Sequence, residues 1–220
     1  MRTFAQCVHA FRWQVLRHYN VTAFYVSTVQ DEDTASVGKL QELFPGVPVH
    51  LDIVSEQPLL PEPEEPVRFE PFARSVPLQA VLRQLWQLER GWALRKEKGG
   101  ESAIIIRARP DAFFHGYKPE PMHRWLARTP YWGRFGGVND RFAVLGEDAA
   151  AHYFETFKKI PALQAAGCPL HPESLVRASL EDGGCDVSDL LRAEFSTLRK
   201  DGEVRSPEIS PTDFVNASLG

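Results

Sequence analysis

Cysteine is scarce and scattered. The chain has three, Cys7, Cys168 and Cys185. An odd set with no shared spacing excludes a disulfide framework and fits free thiols in a reducing compartment. Cys168 and His171 stand in a C-P-L-H run, but no second ligand pair sits at zinc spacing. Long apolar runs are also missing. Gln6, His9, Arg12 and Gln14 interrupt the first stretch, so it reads as neither a signal peptide nor a membrane span. Positive charge is not in excess: 25 Lys and Arg face 29 Asp and Glu, a net charge of -4, which argues against a protein built to coat nucleic acid. There is no Gly-rich loop ending in Gly-Lys-Ser/Thr, no G-x-G-x-x-G after a strand and no G-x-S-x-G elbow. No cysteine has an evident histidine partner, and no internal repeat is visible. The expected setting is the cytosol, with no transmembrane segment and no nucleic-acid partner; attachment to a membrane surface is left open, and so is the oligomeric state.

What is present suits one globular domain, since 43% hydrophobic residues over 220 positions are enough for a real core. Phe4, Cys7, Val8, Phe11, Val15 and Leu16 recur at helical spacing and predict an amphipathic helix over 3–18. A β-branched and aromatic strand is expected at 21–28, a short helix at 34–44 and a second strand at 47–54. This is the rhythm of an α/β domain with mainly parallel pairing. Five prolines and five glutamates then alternate through 55–75, which reads as an extended, solvated loop. Leu78, Val81, Leu82, Leu85, Leu88 and Trp92 define the longest helix, about 76–97, stopped by Gly99-Gly100. Ala103 to Ile106 form an apolar run expected of a central strand. The stretch 110–140 reads as loop, 141–145 as a short strand, 147–159 as a helix with Pro161 beyond its end, and 172–181 as another. A last strand is expected at 193–198. The single domain is placed at 1–198, with a polar, frayed tail at 199–220.

Three constellations carry chemistry. The first is Arg107-Ala108-Arg109-Pro110-Asp111, leaving the most buried-looking strand at its C-terminal end, where open α/β sheets bind ligands. Period two puts both arginines on one side, suited to a phosphate. Asp111 follows where a hard cation such as Mg²⁺ or Mn²⁺ takes an oxygen ligand. The plain alternative has both arginines paired with acids and Asp111 capping a turn. The second is Trp132 to Phe142, with Gly136, Gly137, Asn139 and Asp140; its glycines permit close backbone approach to a ligand, or simply a tight turn in which Asp140 pairs with Arg141. The third is His171-Pro172-Glu173-Ser174, with Glu173 in the first turn of a helix. There it serves as a catalytic or pocket carboxylate, or merely complements the helix dipole. His171 is a candidate general base near neutral pH.

The strand ending R-A-R-P-D-A-F-F, the block W-G-R-F-G-G-V-N-D-R-F-A and the block H-P-E-S-L together resemble a group of GT-A-type glycosyltransferases. The likeness covers roughly residues 1–182, and Met1-Arg2-Thr3-Phe4 resembles the segment just after that family's first strand. The resemblance implies a GT-A-like, Rossmann-like, mostly parallel sheet flanked by helices. It also implies transfer of a sugar from a nucleotide-diphosphate-sugar donor to a hydroxyl of a glycan or other acceptor, as in surface polysaccharide synthesis, with Mn²⁺ or Mg²⁺. Arg2, Arg107 and Arg109 would lie at the diphosphate. Asp111 would match the last carboxylate of the metal-binding D-x-D element, whose first position is Arg109 here. Gly136, Gly137, Asn139 and His171 would lie at the acceptor, with Asp140 as the catalytic base and Glu173 as its rival. The alternative is a noncatalytic relative that keeps the fold as a binding or scaffold domain. A family member would open with a strand that this sequence lacks, so poor solubility or pairing with another chain is expected.

Overall fold

Residues 142–146, Phe-Ala-Val-Leu-Gly, show how the core is organised. Phe142 and Val144 join one buried cluster, Ala143 and Leu145 another. Successive side chains of a strand point to opposite faces, so this segment is covered on both sides. The computed structural model describes residues 2–29, 34–56, 58–68, 77–198 and 204–205. In chain order they form α1 (Arg2–Gln14), a 3-10 turn (Leu16–His18), β1 (Phe24–Val29), α2 (Thr34–Leu43), β2 (Val49–Val54) and α3 (Leu78–Glu97). Then come β3 (Ile104–Ala108), β4 (Ala112–Tyr117), β5 (Leu126–Pro130), β6 (Phe142–Gly146), α4 (Glu147–Phe154), α5 (Thr156–Ala165) and α6 (Pro172–Asp182). The described chain ends with β7 (Asp186–Leu191), β8 (Ala193–Leu198) and β9 (Val204–Arg205). Among the described residues, no helix is long and apolar enough to cross a membrane.

The protein is α/β, but its pairing is not mostly parallel as the sequence rhythm suggested. The central sheet has the order β3-β6-β5-β7; β6 is antiparallel to both neighbours, and β5 is parallel to β7. β1 and β2 pair in parallel, and β4-β8-β9 form a small antiparallel sheet. The connections explain the difference. Parallel neighbours need a crossover, and helices supply one between β1 and β2 and again on the way from β5 to β7. The passage from β5 to β6 is a loop with no helix, so the chain comes back antiparallel. Helices α3 to α6 cover one face of the central sheet around Leu82, Leu85, Tyr153, Leu175 and Leu180. The other face packs on α1 and the β4-β8 sheet, with Phe114, Phe142 and Phe195 at its centre.

Two further expectations shift. The stretch 110–140 holds two strands, β4 and β5, hidden in the sequence by Gly116 and Pro130, where each ladder also slips its register. The helix expected at 147–159 is two, broken at Glu155, and Pro161 lies inside the second. The loop after β2 is tied down where it is described. The Gln79 amide clamps both backbone groups of Leu60 at 3.0 and 2.8 Å, and the Val67 amide donates to Gln164 at 3.0 Å. Its remaining expected part, 69–75, and the tail apart from β9 lie outside the described residues.

Among the described residues, β1 and β3 each pair along one edge only. They come near each other: Ile106 borders the same buried cluster as Phe24 and Val26, and the Thr22 and Ser102 hydroxyls lie 3.4 Å apart. No ladder joins them. The Arg109 amide bonds the Arg141 carbonyl at 3.1 Å, which continues the β3-β6 ladder. Antiparallel pairs alternate between bonded and non-bonded, so Ile105 and Arg107 face β6 and the Ile106 amide faces the open edge. We expect the Ile106 amide to exchange with deuterium about tenfold faster or more than those of Ile105 and Arg107. Equal protection of all three would show that this edge is paired.

Candidate functional site

β3 is apolar until Arg107, which shares with Ile105 the helix-covered side of the sheet. Arg107 is buried, and its Nη1 donates to the Arg141 carbonyl at 2.5 Å. Its Nε has no hydrogen-bond partner among the described residues. Burial lowers its pKa, countered by Tyr153 and Asp140, yet a guanidinium stays charged. Arg109, two residues on, is more open and forks onto Asp111 at 2.9 and 2.8 Å. Burial works against its charge, but Asp111, with Asp140 and Glu173 behind it, carries its pKa upward. The two arginines thus stand at one end of β3 as the alternation predicts.

The loop from β5 to β6 brings the second block to the same place. Asn139 is wholly buried, and its side chain is spent on backbone. Nδ2 donates to the Trp132 carbonyl at 2.8 Å, and Oδ1 accepts from the Arg141 and Phe142 amides at 2.9 and 3.3 Å. It staples the loop. Trp132 is core: its indole N–H donates to the Ala193 carbonyl at 3.0 Å. Phe135 has φ of 42°, a left-handed conformation that is strained for a bulky side chain. Its ring lies edge-on to His171, 6.1 Å between centroids, with the Arg141 guanidinium 6.0 Å above it. Gly136 is exposed with φ of 82°. Gly137 is buried against α6, where a Cβ would fall 2.0 Å from the Glu173 carbonyl oxygen.

The third block closes the cluster. Pro172 opens α6 at the position where its missing N–H costs nothing. The Val138 amide donates to the Glu173 carbonyl at 3.1 Å, tying the glycine loop to the helix start. Asp140 and Glu173 are both nearly sealed from solvent, 4% and 5% exposed. The Gln84 amide of α3 donates to Asp140 Oδ2, and His171 Nδ1 lies 3.0 Å from Glu173 Oε2. Burial raises the Glu173 pKa well above the ordinary glutamate range, and the charge of Asp140 adds to it. Burial lowers the pKa of His171, partly offset by Asp140. Burial thus disfavours the charged form of both His171 and Glu173.

This arrangement has a stability signature. A folded-state pKa above the unfolded value means that the native state binds the extra proton. Stability is then greatest below the ordinary glutamate range and falls as pH rises towards the folded pKa, by up to about 1.4 kcal/mol per pH unit. Glu173→Gln removes that part of the slope. Urea unfolding at steps from pH 4.5 to 8 should give a flatter curve for the variant; parallel curves would mean that Glu173 ionises normally.

Of the residues marked in the sequence, Arg107, Arg109, Asp111, Asp140, His171 and Glu173 are brought together, with Gly136, Gly137 and Asn139 shaping the loop between them. Arg2 lies in α1, and its side chain is outside the described residues. Gln84 and Tyr153 were missed. Gln84 left one trace, a polar residue beside the apolar stripe of α3; Tyr153 looked like ordinary core, and its hydroxyl reaches the Asp140 carbonyl at 3.5 Å.

No family model, curated protein or solved structure matches the chain. The site therefore rests on its own chemistry. Asp111 is the residue at which Mg²⁺ or Mn²⁺ was expected. Both oxygens of Asp111 are held by Arg109, and among the described residues no three His, Cys, Asp or Glu side chains group as metal ligands. Cys7, buried near Asp111, has its thiol pushed up to about 11 by burial first and the Asp111 charge second, so it is no nucleophile at neutral pH.

Proposed function

We propose that the protein is a glycosyltransferase that moves a sugar from a nucleotide-diphosphate-sugar donor to a hydroxyl of a glycan or other acceptor. One observation carries the reading. Three separate sequence blocks, which share a resemblance to such enzymes, meet around one cluster of two arginines and two buried carboxyl groups. In the inverting form of the reaction, Asp140 takes the proton of the acceptor hydroxyl. The acceptor oxygen bonds the anomeric carbon, and the bond from that carbon to the diphosphate oxygen breaks. The electron pair leaves with the nucleoside diphosphate, whose growing negative charge meets Arg109, with Arg107 behind it. Burial and the neighbouring Asp140 disfavour the charged form of Glu173, which leaves Asp140 as the better placed base. Asp140 acts once the Gln84 amide moves aside. No step is assigned to a metal ion.

The burial of Asp140 under Gln84 favours a second reading, a noncatalytic relative that binds a nucleotide without turnover. A thermal-shift panel of UDP, GDP, CDP and dTDP, each with and without Mn²⁺, tests both. Ligand at about 100 times its dissociation constant adds roughly 2.7 kcal/mol, a shift of about 5–10 °C for a chain of this size. One nucleotide should shift the melting temperature. If release of that nucleotide from its sugar conjugate follows, the transferase reading stands; a shift with no release supports the binding domain. No shift with any of the four from a folded sample defeats both.

A further inference from the structure

The first 30 residues hold three arginines and no aspartate or glutamate, although the chain as a whole is net negative. Within this segment α1 turns Cys7 and Val8 into the protein, and Val15 and Leu16 just beyond it are buried too. Its outer side carries His9, Arg12 and Trp13, followed by Arg17 and His18 in the 3-10 turn, all exposed. Trp13 is 65% exposed, more than any other aromatic side chain among the described residues. Beside it an open groove of about 430 Å³ runs between Arg12 and Arg17 over a floor of Leu16, Val21, Phe44 and Val47. The Arg12 guanidinium sits 5.3 Å above the Phe44 ring at the groove's edge, and the nearby Glu42 is already paired with Lys39.

We propose that this face docks on an anionic lipid bilayer. An indole at the surface with guanidiniums on either side matches the headgroup boundary, where tryptophan settles and arginine meets phosphate. The apolar floor gives the acyl-glycerol region a place beneath the charged rim. Nucleic acid fits less well: tight binding to it draws on many phosphate contacts, whereas this face offers two described arginines and an apolar floor. The proposal does not rest on the transferase reading, and nothing in it needs the Asp140 cluster.

The test is co-sedimentation of the whole chain with vesicles of phosphatidylcholine alone and of phosphatidylcholine with 30% phosphatidylserine. The protein should pellet with the second and hardly with the first, less so as salt is raised. Arg12→Gln and Arg17→Gln should each weaken partitioning about fivefold. Trp13→Ala should weaken it several-fold, because the indole no longer enters the headgroup layer. All three positions are exposed, so the variants should keep the parent circular dichroism. Trp125→Ala removes another exposed tryptophan far along the chain and should change nothing. The proposal is overturned if the parent stays in the supernatant with both vesicles, if the α1 variants bind as the parent does, or if Trp125→Ala loses as much. It is also overturned if the face binds a 20-base-pair DNA duplex but no vesicle.

Discussion

Replacing Asp140 with asparagine lowers the turnover of sugar transfer by about 10²–10⁴-fold, the usual worth of a positioned general base, and leaves nucleotide affinity within a few-fold. The substitution keeps size and shape, and an asparagine oxygen still accepts from the Gln84 amide. What disappears is the ability to take the acceptor's proton. The loss should therefore fall on kcat and leave the nucleotide-induced thermal shift in place. Asp140 also supplies charge to Arg107 and Arg109, so a modest weakening of donor binding is consistent with the same role. Full activity in Asp140→Asn would move the base elsewhere. Glu173 is a poor substitute, because burial and the charge of Asp140 disfavour its ionised form.

Gly137→Ala destabilises the protein by about 3 kcal/mol or more, whereas Gly136→Ala costs about 1 kcal/mol. The two neighbours differ in what surrounds them. At Gly137 the new methyl group would meet the Glu173 carbonyl carbon and oxygen at 2.1 and 2.0 Å and the Ser174 nitrogen at 2.4 Å. These are backbone atoms at the start of a helix and cannot step aside as a side-chain tip can. Gly136 is exposed, and there the left-handed backbone is what opposes a side chain. The Gly137 change also pushes the Asp140 loop off α6 and breaks the bond from the Val138 amide to Glu173. Nucleotide binding should weaken together with stability. Urea unfolding of both variants measures the first effect and repetition of the nucleotide panel the second. Equal, small losses would mean that the loop and α6 are not packed as described.

The elements that the sequence revealed are those with strong periodicity. The stripe Leu78, Val81, Leu82, Leu85 and Trp92 marks α3 because the same residues that repeat at helical spacing are the ones buried. β3 was legible as an unbroken isoleucine run. β4 and β5 were not, because glycine, arginine and proline interrupt them and their pairing depends on β8, β6 and β7 far along the chain. Sheet direction was misread for a related reason: local pattern shows that strands and helices alternate, but not which strands become neighbours. At the site, Arg107, Arg109 and Asp111 could be grouped from strand alternation alone. That Glu173 lies behind Asp140 follows only from the packing of Gly137 on α6. Asn139 looked like a polar group offered to a ligand, and the fold spends it on three backbone atoms. Nothing local marks that use, since the Trp132 carbonyl it meets is seven residues back.

The central claim is that the three blocks form one site for a nucleoside diphosphate at Arg109. Titration calorimetry of the stabilising nucleoside as its diphosphate and its monophosphate, with the parent chain and with Arg109→Gln, tests it most directly. The account predicts tighter binding of the diphosphate by the parent, and loss of most of that preference in the variant, about tenfold or more for a charge-assisted contact. A diphosphate that binds Arg109→Gln as well as it binds the parent, or a parent that does not distinguish the two nucleotides, would contradict it.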